Sequence, residues 1–135
     1  MNFAITPLIA LYAGGFVAAL IAIGSLVLRD RKVGSAAVAA ALCGGFAAYT
    51  AGAIYAEGVL PILTNQAGNL WGVQVWWDLL IAITIGLFLI APRARAAGMN
   101  LPLWVILVVA TASIGLLAMI ARLFWLESDA DNTAA

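Results

Sequence analysis

The sequence has no histidine, a single cysteine and very little charge, with Lys, Arg, Asp and Glu making up 9% of its 135 residues. Without His, His-ligated haem, His-bound pigments and most zinc or copper sites are excluded, so neither a metal site nor a cofactor is expected. Cys43 has no second cysteine to pair with and sits inside an apolar run, where a free thiol behaves as a small hydrophobe. Roughly a quarter of the residues in a soluble domain are charged. A chain that is 9% charged and 66% hydrophobic cannot clothe a water-facing surface, and its composition is that of an integral membrane protein. The formal net charge is +0, which argues against a nucleic-acid partner.

What fills the chain is four apolar blocks of about 20 residues, each long enough to cross a bilayer as a helix. The expected fold is all-α, an integral membrane four-helix bundle over residues 1–126, with helices near 7–28, 35–56, 71–91 and 102–125. A polar acidic tail, 127–135, is expected to be disordered. Pro7 is tolerated in the first turn of the first helix, and Pro92 is expected to end the third. The first block lacks a basic leader and exceeds the length of a signal-peptide core. Gly14, Ala18, Ile21 and Ser25 give it a mostly small-residue face. The second block is dominated by Ala and Gly, and Gly44, Gly45 and Gly52 are expected to let neighbouring helices approach closely, as is Gly115 in the fourth. That places the second helix at the centre of the bundle. The connection 57–71 is apolar in its first half and turn-like in its second; it either folds over the bundle mouth as a lid or only spans two helix ends.

Charge is segregated along the chain. Arg29, Arg31, Lys32, Arg93 and Arg95 lie between blocks, while Glu127, Asp129 and Asp131 follow the last one. The positive-inside rule puts both basic turns on the cytoplasmic side, so both termini and the 57–71 connection are expected on the outer side. Glu57, Asp78 and Arg122 would then all fall in the outer half. Asp78 is the most unusual of them. It lies about 10 Å below Trp71 along an apolar helix, and an ionised carboxylate at such a depth needs a partner. Arg122 is the expected partner, with Glu57 nearby. Tyr55, Trp71, Trp76, Trp77 and Trp125 share this end, giving either an interfacial aromatic belt or the wall of a cup. Such a cup, with Glu57, Gln74, Asp78 and Arg122 as its polar groups, suits a hydrophobic ligand with one polar end.

The stretch from Trp76-Trp77-Asp78-Leu79-Leu80 through the basic turn and Leu101-Pro102-Leu103-Trp104 to Arg122 resembles a group of small uncharacterised bacterial inner-membrane proteins classed as a domain of unknown function. The resemblance implies residence in the bacterial inner (plasma) membrane. A more distant likeness is to membrane-integral isoprenoid and carotenoid cyclases, which are short helical bundles with acidic residues inside the membrane. Three functions are consistent with these features. The first is an accessory or ligand-binding protein that holds lipid, quinone or isoprenoid and assembles with itself or a larger membrane complex. The second is an isoprenoid-modifying enzyme of cyclase or isomerase type, with Asp78 or Glu57 as general acid and no catalytic set fixed by any motif. The third is a small transporter similar to the four-helix multidrug exporters, which depend on an acid in their first helix; here that helix has none. The accessory role leads, because a guanidinium beside Asp78 stabilises the carboxylate and makes it a poor proton donor.

Overall fold

The computed structural model describes residues 7–28 and 34–134, and every described element is helical. The chain forms two compact units, 1–32 and 33–135. The first holds one helix, α1 (Pro7–Leu28). Gly14, Gly15 and Gly24 on it have no neighbour within 4 Å of where a Cβ would sit. The basic turn Arg29, Arg31 and Lys32 lies outside the described residues, and so does the side chain of Ser25.

The second unit contains α2 (Ala36–Glu57), α3 (Pro61–Ala67), α4 (Leu70–Ala96), α5 (Leu101–Thr111) and α6 (Ser113–Ala134). Local chemistry sets most of these boundaries. Ser35 caps α2 by accepting the Val38 N–H at 3.3 Å, Asn69 caps α4 by accepting the Gly72 N–H at 2.8 Å, and the Asn100 side chain caps α5. Pro61 opens α3 in its first turn, where its missing N–H costs nothing.

Contrary to expectation, α4 does not end at Pro92 but continues to Ala96. Its true stop is a glycine cap. Gly98 has φ +72, its N–H bonds Arg95 O at 3.0 Å, and Met99 N–H bonds Ala94 O at 2.9 Å, which together satisfy the last free carbonyls of the helix. Ala94 and Met99 are both buried, the apolar contact that accompanies this motif. Pro92 forfeits one hydrogen bond near the end of the helix, and the cap outweighs that loss.

The fourth apolar block is not one helix. It breaks at Ala112, with φ 51 and ψ −120, and α6 folds back along α5. Gly115 is buried where the two helices meet: a Cβ there would lie 2.7 Å from Leu107 O and 2.8 Å from Val108 Cα. Val108, Met119 and Leu123 are fully buried in the same cluster, with Leu101 and Trp104 packed on it. The acidic segment expected to be disordered is the last part of α6 and is helical through Ala134.

α6 is the hub of the unit. It runs antiparallel to α2, since Gly34 adjoins Phe124 while Cys43 Sγ donates to Ile114 O at 3.4 Å. It runs in the direction of α4, since Leu116 adjoins Gly86 and Glu127 bonds Arg93. The second helix is therefore not central as expected. Beyond Cys43, α2 extends past the start of α6, and a Cβ at Gly44, Gly45 or Gly52 would meet nothing within 4 Å. Among the described residues, two helices, Ala36–Glu57 and Leu70–Ala96, are long and apolar enough to cross a bilayer. Much of their apolar surface is uncovered: Phe46, Tyr49, Ile85, Phe88 and Leu89 are all exposed, more apolar surface than a water-soluble monomer ordinarily shows.

These packings separate two kinds of glycine. Gly115→Ala should lower stability in detergent by about 1–3 kcal/mol, because the new methyl meets backbone that cannot step aside. Gly45→Ala should be neutral or slightly stabilising. Thermal unfolding of the two variants checks this; equal losses would mean that Gly45 is packed against something outside this unit.

Candidate functional site

The antiparallel arrangement gives the second unit two ends. At one, α4 finishes, α2 begins and the latter half of α6 passes; at the other lie the end of α2, all of α3 and the start of α4. The candidate residues divide between them.

At the first end, Arg93 and Glu127 form a bidentate ion pair, Nε to Oε1 at 2.9 Å and Nη2 to Oε2 at 2.5 Å. Arg93 also lies over the Phe124 ring at 5.6 Å. Arg122 is not beside Asp78. Its guanidinium stands 4.3 Å from the centre of the Trp125 ring, one turn further along α6, which is a cation–π contact. The cause is the break at Ala112. A straight fourth helix would carry Arg122 to the end where α4 starts, whereas the folded-back helix returns it to the end where α4 finishes. Arg122 falls between the levels of Gly86 and Arg93, and Asp78 lies about 12 Å beyond Gly86 along the α4 axis. A cavity of about 460 Å³ opens beside the ion pair, lined by Arg93, Ala96, Ala97, Leu126, Glu127 and Ala130.

At the other end, α3 closes on the first turns of α4. Gly72 permits this: a Cβ would lie 2.7 Å from both Asn65 O and Gln66 O, so any larger residue would push α3 away. Between the two helices is an open apolar groove of about 280 Å³ lined by Ile62, Leu63, Gln66, Ala67, Val73 and Trp76, with Ile62, Leu63 and Val73 themselves exposed. Gln66 supplies its one polar side chain. Of the three tryptophans at the start of α4, only Trp76 turns inward; Trp71 and Trp77 are 78% and 63% exposed. Tyr55 and Glu57 are exposed at the end of α2.

Gln74 and Asp78 share a face, as their spacing requires, but that face points away from the packed side of α4 formed by Trp76, Leu79, Ile83, Leu87 and Ile90. Asp78 has no ion pair among the described residues. The expected cup is thus divided: Trp76 joins a groove, Arg122 and Trp125 form a separate pair at the opposite end, and Tyr55, Glu57, Trp71, Gln74, Asp78 and Trp77 face outward. The groove's Ile62, Leu63 and Gln66 come from the 57–71 connection. Their signal in the sequence is Pro61 opening an apolar turn that ends before the Asn69 cap. No cluster of three or more metal-ligating side chains occurs among the described residues. Compared with family models, curated proteins and solved structures, the chain matches none.

The placement of charges predicts which pairs couple. In a double-mutant cycle, Arg93→Gln and Glu127→Gln should show an interaction of about 0.5–1 kcal/mol that shrinks with added salt, since both side chains are partly exposed. Asp78→Asn and Arg122→Gln should be additive. Unfolding of the single and double variants in detergent measures both, and a coupling between Asp78 and Arg122 would contradict the separation described above.

Proposed function

We propose that the chain is a small polytopic protein of a bacterial inner membrane, an all-α bundle built from its four apolar blocks, and that it serves as an accessory or hydrophobic-ligand binding protein. The observation that carries this reading is the groove between α3 and α4. Its apolar lining, single amide and tryptophan wall suit one segment of a lipid, quinone or isoprenoid chain, with Gln66 available to a polar group. At about 280 Å³ it lies at the small end of ligand pockets, which run from roughly 300 Å³ upward. It would therefore hold part of a long molecule whose remainder lies along the exposed apolar flanks of α2 and α4. In this reading the basic turns face the cytoplasm, α3 lies at the outer surface as a cover, and the outward glycines of α2 are free for a second copy or a larger membrane complex. The resemblance of residues 76–122 to small bacterial inner-membrane proteins belongs to the same reading.

A second reading, an isoprenoid-modifying enzyme, is favoured by one feature: no guanidinium stands beside Asp78 to stabilise its carboxylate, so a general-acid role loses its main objection. Conversion of a linear isoprenoid by the purified protein, abolished in Asp78→Asn, would establish it.

For the binding role, gently purified protein should carry a co-purifying isoprenoid, quinone or phospholipid visible by native mass spectrometry. Trp76→Ala and Leu63→Ala should each reduce its retention several-fold, while Trp77→Ala, exposed on the same turn and outside the lining, should leave it unchanged. Equal retention in all three variants would remove the groove from the proposal.

A further inference from the structure

We propose that the apolar run Leu101–Trp125 is a two-way segment. It either folds back at Ala112 as the α5–α6 hairpin or crosses the bilayer as one straight helix, and the Arg93–Glu127 ion pair is a latch that only the folded-back form can close. The inference rests on the membrane reading above but not on any ligand.

Four observations lead to it. First, the turn is made by an L-residue in a conformation that favours glycine: Ala112 has φ 51 and ψ −120. Backbone strain of this kind persists only where the surroundings over-determine it. Second, nothing in the sequence demands a turn there. From Leu103 to Ile114 there is no Gly or Pro, and Thr111 already bonds back to Leu107 O as a helical threonine does. Third, the lengths suit both forms. As one helix, 101–125 is about 37 Å long and spans a hydrocarbon core of roughly 30 Å, whereas α5 alone reaches about half-way. Fourth, the positive-inside rule gives the far end only a weak preference. Arg122 is the one cation in 101–134, and Glu127, Asp129 and Asp131 contribute little to that rule. The segment's side is therefore settled by packing when the chain inserts.

The contacts that could decide it are of two kinds. Arg122 over Trp125 lies within α6 and travels with the helix, so it is common to both forms. Arg93 with Glu127, Gly115 against Leu107 and Val108, and the burial of Met119 and Leu123 exist only when α6 is folded back. In the straight form about 39 Å of helix would separate Leu101 from Glu127, and the ion pair could not form.

The test uses the full chain with Cys43→Ala and one new cysteine. Ala96→Cys at the end of α4 is the reference, and Ser128→Cys reports the end of α6. Right-side-out and inverted vesicles are labelled with a membrane-impermeant maleimide. Ala96→Cys should label from one face in every variant, showing that insertion is intact. Ser128→Cys should label from both faces in separate populations. Ala112→Gly, which relieves the strained turn and weakens a straight helix, should shift the ratio about tenfold toward the Ala96 face. Arg93→Gln or Glu127→Gln should shift it roughly threefold the other way. A spin-label pair at Leu103→Cys and Ser128→Cys reads the same ratio independently of sidedness, at about 38 Å for the straight form and less than about 20 Å for the hairpin. Labelling of Ser128→Cys from a single face in all variants, with one spin-label distance, would overturn the proposal while leaving the membrane reading intact. Release of the protein from vesicles by alkaline carbonate would overturn the membrane reading itself and this inference with it.

Discussion

The contact on which the second unit depends is the crossing of α5 and α6 at Gly115. A residue without a side chain lets α6 lie against the backbone of Leu107 and Val108, and this closeness brings Met119 and Leu123 into the buried cluster with Val108. The direction of α6 then follows. Because it is reversed at Ala112, α6 can pack on α2 along one flank and α4 along another, and it delivers Glu127 to Arg93. The strained backbone at Ala112 is thus offset by packing on both sides of it.

The same reversal explains why the two ends of the unit differ. Near Arg93 the space between α2 and α4 is occupied by the hairpin, and the buried residues Ala39, Ala94, Met99, Met119 and Leu123 lie toward that end. Past Ala112 there is no third helix of this unit between them. The glycines of α2 meet nothing, and Asp78 and Gln74 are left on an uncovered face. Among the helices of this unit α3 dresses this end, and an apolar groove flanked by an aromatic wall forms there, between α3 and Trp76.

Elements governed by local chemistry carry a mark in the sequence, and those governed by packing do not. Ser35, Asn69, Asn100 and Pro61 sit at helix starts for reasons that reside in their own side chains, although reading 57–71 as a plain connection passes over the helix that Pro61 opens. The end of α4 was misread because Pro92 is a stronger written signal than Gly98, yet the glycine cap satisfies carbonyls and the proline only forgoes one donor. Ala112 could not have been found: a helix-favouring residue in an apolar run carries no local mark of a turn. Placing Arg122 beside Asp78 followed from treating that run as one helix, so a single unmarked residue moved a charge from one end of the unit to the other. Spacing puts Gln74 and Asp78 on one face of a helix, but it does not say which neighbour, if any, that face turns toward.

Under the proposed membrane reading, the small size of the buried cluster ceases to be a difficulty. In water, fixing about a hundred residues in helices carries an entropy cost that so few buried side chains could not offset. In a bilayer the helices do not depend on that cluster, because a backbone N–H or C=O exposed to hydrocarbon is costly enough that each apolar segment is held helical by its own hydrogen bonds. Packing then has only to choose among arrangements of preformed helices. A choice between arrangements is decided by small differences, such as one ion pair at a surface or one close glycine crossing. In water those same contacts would be minor additions to a fold already determined by its core. This is why Gly115 and the Arg93–Glu127 pair can set the architecture of this unit although neither contributes much energy by itself.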